Sequence, residues 1–411
     1  MTAPESRWMS ANVPASLTLD LGARYLVKDI GIAWYLGDER VVTFQIEGSD
    51  NGSSFFPLGG VRQSVGDTRS FERNPVPPTG ARYIRITGTG ASEGQAIAIV
   101  EAAVFGCRAG AQAVSTVPYD TAAFGLDPTV APGRNFDLQS WALDTPEVDP
   151  ADGFSRRIIG DELNDFSDQY FFTAPDGGMV FRTTIAGAKS SANTSFTRTE
   201  LREMLRRGDT SIRTQGVNEN NWILGYQPDP GVPTGGRGGT LKGTLAVNQT
   251  TTTGSQSQVG RFVIGQIHAS SDEPIRLYYR KFPQNARGMI YFAHEIRDGS
   301  DIFFSVVGPQ LANRKTHPQI DVDPYNGIAL DEVFSYEITN SGSRIDVIIR
   351  RGDQNGPIIG HNYVDMAVEN SGYDRIDEWN YFKAGVYTQN NSGMPTDFDQ
   401  VTFYSLFNSH D

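Results

Sequence analysis

Residues 261–269 read RFVIGQIHA, 275–282 read IRLYYRKF and 289–296 read MIYFAHEI. Each run has strand length and is rich in β-branched and aromatic residues, and the gaps between runs are only a few residues. A parallel pairing needs a crossover of a dozen residues or more, so runs this close together fold as antiparallel neighbours. The pattern continues from Asn135 to the C-terminus through MVFRTTI, SFTRTELREML, GTLKGTLAV, SYEITN, RIDVIIR, YFKAGVYTQ and VTFYSLF, with little amphipathic helical spacing. An all-β sandwich or jelly roll is the architecture predicted for residues 135–411.

Upstream, residues 16–21, 41–47, 82–87 and 98–105 are short strand-like runs. Gly37-Asp38, Asp50-Asn51-Gly52 and the proline-rich 74–78 stretch between them read as turns, giving a second, smaller all-β sandwich over residues 1–107. Trp34 and Tyr35, in DIGIAWYL, read as a buried strand. Residues 108–134 are poor in large apolar side chains and rich in Ala, Thr, Pro and Gly, a composition that reads as a linker. With 411 residues, two domains are expected.

The net charge of −13 argues against a nucleic-acid binder. It leaves an anionic ligand open, because the local field in a cleft decides that. No apolar run is long enough to span a bilayer. The single cysteine, Cys107, excludes an intrachain disulfide and a multi-cysteine metal site. The opening MTAPESRW is not a leader, so the protein is expected either in the cytosol or exported with a leader already removed.

Three segments carry unusual polar side chains on one strand face. Period-two alternation projects Arg198, Glu200 and Arg202 together, pairs Gln266 with His268, and aligns Tyr381, Lys383, Gly385, Tyr387 and Gln389. Such a face is a polar sheet floor whose cations suit carboxylates and whose tyrosines suit sugar rings. Abstraction of the C5 proton of a uronate requires its carboxylate to be neutralised, a base at C5 and an acid at the leaving oxygen. Arg and Gln, His, and Tyr supply those three functions.

The segments RTELRE, QIH and YFKAGVYTQ resemble, in order and spacing, the signature motifs of the alginate lyases of polysaccharide lyase family seven, over residues 135–411. The resemblance implies a jelly roll with a long cleft that cleaves alginate by β-elimination, acting within the chain and requiring no cofactor for catalysis. It makes Arg198 and Gln266 the neutralisers, His268 the base and Tyr387 the acid, with His and Tyr sharing roles according to the uronate bound. Glu200, Arg202, Tyr381, Lys383 and Gln389 would bind substrate. Ile267 within QIH goes, in the family, with acceptance of guluronate. Residues 1–107 resemble a discoidin-like (F5/8 type C) carbohydrate-binding module through Ser6-Arg7-Trp8, 17–22 (LTLDLG), 49–52 (SDNG), 81–86 (ARYIRI), Glu101 and Phe105-Gly106. That likeness implies a structural calcium. Together they imply a secreted or periplasmic bacterial monomer whose partner is alginate or a related anionic polysaccharide, with no nucleic-acid or membrane partner.

Competing readings are a non-catalytic lectin for acidic glycans and a lyase for another polyuronate such as glucuronan. A hydrolase fits poorly, since hydrolysis uses two opposed carboxyl groups and this face offers Glu200 between two arginines. His294, His317, His361 and His410 lie outside the motifs and read as structural or surface residues.

Overall fold

The computed structural model describes residues 7–92, 94, 96–108, 119–309, 311, 313–318, 323–324 and 326–411. The chain divides into two units, Met1–Ser115 and Thr116–Asp411.

In the first unit an antiparallel sheet runs in the order Trp8–Ser10, Ile97–Arg108, Ala15–Trp34, Glu72–Ala91, Val42–Ser49 and Phe56–Pro57, with Arg62–Gln63 also pairing with Val42–Ser49. The two long strands break register between Asp20 and Tyr25 and between Val27 and Asp29, irregularities that let a strand bend. Val27, Ile30, Ile32, Trp34, Phe44, Ile84, Ile86 and Ile97 form the core, so Trp34 lies in a buried strand as expected. The proline-rich 74–78 stretch is not a turn. It lies inside Glu72–Ala91, where Pro75 pairs with Asp29 beside the second irregularity, and a missing N–H costs least there. The Asn74 N–H instead donates to the Asp29 carboxylate at 2.9 Å.

The second unit contains two antiparallel sheets. One orders Phe171–Thr173, Met179–Thr184, Phe398–Ser409, Gly239–Gln249, Val333–Ser341, Arg344–Arg351 and Ile358–Asp365. The other orders Asp301–Val307, Arg287–Glu295, Ile275–Arg280, Arg261–His268, Tyr381–Thr388, Arg198–Glu203, Trp141–Val148 and Ser155–Ile159, with Ile328–Ala329 pairing onto Arg287–Glu295. Alternation sets the inward face: Ile345, Val347 and Ile349 are fully buried while their neighbours are half-exposed. Leu201, Phe262, Ile264, Ile267, Phe382, Ala384 and Val386 form the apolar back of the second sheet and join the same core.

Two glycines let the sheets and strands approach. A Cβ on Gly265 would sit 3.2 Å from the Tyr336 ring and hydroxyl of the facing sheet. Gly385 has φ +135, and its Cβ would fall 2.7 Å from the Thr199 carbonyl oxygen, so only glycine fits opposite Glu200.

The stretch expected to be linker is partly structured. Residues 109–118 lie outside the described residues, but 119–134 pack on the second unit. Tyr119 stacks on Phe124 and Phe124 on Tyr404, at 5.4 and 5.3 Å between centroids. The Tyr119 hydroxyl donates to Asp353 at 2.7 Å. Two aromatics suffice to dock a segment whose composition is otherwise polar and small.

Candidate active site

The three motif strands are immediate neighbours, Tyr381–Thr388 lying between Arg261–His268 and Arg198–Glu203. Register fixes what meets what. Gln266 pairs with Lys383 and Lys383 with Arg202; His268 pairs with Tyr381; Tyr387 pairs with Arg198. Polar residues far apart in sequence therefore form one continuous floor.

Glu200 organises it. Its carboxylate is fully buried and accepts from Arg198 Nη1 at 3.0 Å, from Lys383 Nζ and from Gln266 Nε2. This contact fixes the amide orientation of Gln266, because the flipped form would set two acceptors together. It leaves the Gln266 Oε1 buried without a partner. Burial, then the neighbouring Arg198 charge, lowers the Lys383 ammonium to about 8. The Arg198 guanidinium also lies 3.8 Å from the centroid of the Tyr387 ring. Burial raises the Tyr387 phenol above its usual range, so it holds its proton at neutral pH.

His268 ends its strand. Its Nδ1 lies 2.6 Å from the Ala269 carbonyl oxygen and therefore carries a proton, and its Nε2 lies 3.3 Å from Glu273 Oε1. The ring stacks on Tyr381 at 4.9 Å and 14°. Burial above all lowers its basicity, to about 4, so the imidazole is neutral near pH 7.

A cavity of about 320 Å³ opens over part of this floor, lined by Arg198, Arg202, His268, Tyr381, Lys383 and Trp379 among others. Asp144 and Arg157 also line it. Asp144 pairs in register with Glu200 and with Arg157, and Arg157 donates to it bidentately at 2.7 and 2.9 Å. Four lining cations, Arg157, Arg198, Arg202 and Lys383, thus stand with one lining carboxylate, Asp144, and with Glu200 buried beneath them. The floor is locally positive in a chain of net charge −13. A second cavity, about 640 Å³, lies away from the motifs, between Phe136–Trp141 and Tyr404–His410; its Arg207 is taken by Asp137 and Ser140.

Some expected residues stand differently. Arg202 directs its guanidinium to the carbonyls of Glu203 and Thr214 and to Asn221, and lies over the Tyr381 ring at 4.0 Å, which ties down the 204–221 segment. Gln389 falls past the strand end, is buried, and donates to the Thr388 carbonyl rather than lining the cavity. Tyr387 is at the opposite end of its strand from Tyr381 and outside the cavity lining. His294 and His410 are indeed internal supports, bonded to Pro274 and Ser371 and to Gly238 and Glu203. Asp144, Arg157, Glu273 and Trp379 were not anticipated. A lone carboxylate in the otherwise apolar WALDTP was the one available signal for Asp144.

Among the described residues no group of three or more His, Cys, Asp or Glu is placed to hold a metal, which leaves the expected calcium without support; residues 1–6, ahead of Trp8, are outside the described residues. No helix there is long and apolar enough to cross a membrane.

Both parts of the chain resemble known proteins. The alginate lyase family profile matches residues 136–410, and the F5/8 type C domain profile matches residues 2–102. An alginate lyase from Klebsiella pneumoniae is 46% identical over 285 residues, covering 68% of this chain and 91% of that protein. The crystal structure of the alginate lyase from Klebsiella pneumoniae superposes with a TM-score of 0.62 at 44% identity, over 68% of this chain and 99% of that one. A truncated AlyQ with CBM32 and alginate lyase domains aligns over 100% of this chain and 93% of its own, at 20% identity and a TM-score of 0.40.

Proposed function

This chain belongs to the alginate lyase family, and from that premise we propose how its cleft divides the chemistry. The protein cleaves alginate by β-elimination, and the lectin reading falls away. Arg198 and Gln266, both held by Glu200, neutralise the uronate carboxylate and so acidify the C5 hydrogen. The C5–H bond breaks with its proton passing to His268 Nε2, the free lone pair once Nδ1 donates to Ala269. The electron pair forms the C4–C5 double bond as the C4–O bond breaks, and the leaving oxygen takes the Tyr387 proton. Lys383 and Arg157 hold neighbouring carboxylates of the polymer, Trp379 offers a ring face, Tyr381 lines the site between His268 and Arg202, and Arg202 holds the cleft wall.

The observation that carries this reading is the buried Glu200 carboxylate joining Arg198, Lys383 and Gln266 into one floor. We further propose action within the polymer rather than from its end, a secreted or periplasmic monomer, and residues 1–107 as a carbohydrate-binding module. The test is near-ultraviolet absorbance from the new double bond, following His268→Ala and Tyr387→Phe. Each should lower kcat by about 10²–10⁴ in a folded protein. Near-normal turnover in folded Tyr387→Phe would hand the acid role to another group.

A further inference from the structure

The mechanism above gives no work to Glu273, yet its carboxylate meets the base. The chain leaves strand Arg261–His268, turns, and brings Glu273 back so that Oε1 stands 3.3 Å from His268 Nε2. The other oxygen faces Arg276 Nη1 at 3.7 Å. The Glu273 backbone is pinned to its neighbour strand: its N–H donates to Glu295 Oε2 at 3.3 Å, and its carbonyl accepts from the Glu295 N–H at 3.2 Å. Arg276 in turn binds Glu295 and Asp301. Burial, and then the Glu273 carboxylate it faces, pushes the Glu295 carboxyl above the usual carboxylate range.

The two other charges acting most strongly on the imidazole, Lys383 and Arg198, both oppose a second proton on it. Lys383 acts from the adjoining motif strand and Arg198 from the motif strand beyond it, and Tyr381 covers one ring face without charge. Glu200 cannot compensate, since its oxygens are occupied by Arg198, Lys383 and Gln266. Only Glu273, among the groups acting most strongly on the ring through their charge, favours the imidazolium. A base that becomes cationic in so positive a site needs a counter-charge at the nitrogen that receives the proton.

We propose that Glu273 is the positioning residue of the base, holding the His268 ring and stabilising the imidazolium formed when Nε2 takes the C5 proton. Glu273 takes no proton itself. At 3.3 Å it stands at ion-pair rather than tight hydrogen-bond distance, so Nε2 remains free to accept. This inference rests on the assignment of His268 as base.

The experiment uses the full-length protein with Glu273→Gln, Glu273→Asp and His268→Ala. It records kcat and KM against pH on soluble alginate, and histidine titration by NMR with His268→Ala assigning the resonance. Glu273→Gln removes the charge that raises proton affinity at His268. The acid limb of kcat and the His268 titration should therefore both move to lower pH. Turnover at neutral pH should fall about tenfold or more, less than the loss on removing the base itself, with KM little changed. Glu273→Asp, which draws the carboxylate back, should shift the limb the same way by less. It also serves as the reading should Glu273→Gln fail to fold. An unmoved limb and titration beside a dead His268→Ala would overturn the role of Glu273 and leave the base assignment standing. An active, folded His268→Ala would overturn the base assignment itself.

Discussion

Replacing Glu200 by Gln tests the floor most directly. The substitution keeps shape and removes one charge from a fully buried position that faces two cations and an amide. Arg198 cannot respond by losing its proton. Lys383 can, since burial already holds it near 8, so part of the imbalance is relieved by deprotonation. Breaking a buried ion pair from one side costs about 3–5 kcal/mol, and this relief places the loss near the lower value. For a unit spanning Thr116–Asp411 that corresponds to a drop of about 5 °C in melting temperature. Turnover should suffer independently, because Arg198 loses its anchor and Lys383 its charge; losing one preorganised electrostatic contact lowers kcat by about 10²–10³. Thermal melting of the second unit and double-bond absorbance read the two effects separately. A variant that melts and turns over like the wild type would show that Glu200 does not organise the cations, and the division of labour built on it would be wrong.

Two further outcomes follow from the same structure. KM for alginate should rise as pH passes through about 8, where Lys383 loses its charge, and Lys383→Met should abolish that rise while moving the acid limb to higher pH, because the Lys383 charge opposes a second proton on His268. The stability contribution runs the other way. The folded Lys383 value lies below the usual 10.5, so the unfolded chain binds more protons between the two values and this group makes stability increase with pH across that window. Separately, residues 116–411 expressed alone should fold and keep activity on soluble alginate, whereas 135–411 should melt lower because it lacks the Tyr119–Phe124–Tyr404 stack and the Tyr119–Asp353 bond; equal melting temperatures would mean the packed segment contributes nothing.

Alternation alone revealed the all-β class and the facing of each motif strand, because a half-buried strand must segregate its side chains. Arg198, Glu200 and Arg202 share a face as period two requires. What alternation cannot reveal is which strands adjoin. That Lys383 lies between Gln266 and Arg202 is a consequence of pairings that span more than a hundred residues. Arg157 escaped notice for the same reason, and the one local signal for Asp144, a lone carboxylate in WALDTP, gains its meaning only beside Glu200 and Arg157. Gln389 departs from the alternation for another reason, since the strand ends one residue before it. The proline-rich 74–78 stretch misled because proline's φ also suits extended backbone, and a register irregularity absorbed the missing donor.

An acidic protein that grips a polyanion must hold its cations against their mutual repulsion without cancelling them. Here each buried carboxylate has a different charge to manage. Glu200 fixes Arg198 and Lys383, Asp144 fixes Arg157, and Glu273 faces His268. Four lining cations stand against Asp144 in the lining, Glu200 beneath it and Glu273 beside the base, so the balance at the cleft remains positive after every internal pair is formed. Substrate carboxylates complete the set. The gain on binding then comes from relieving repulsion already built into the floor, in a site where burial weakens screening. That reasoning also explains why the base needs its own carboxylate: proton abstraction adds a fifth positive charge to the same floor, and without Glu273 the step would run against the field that binds the substrate.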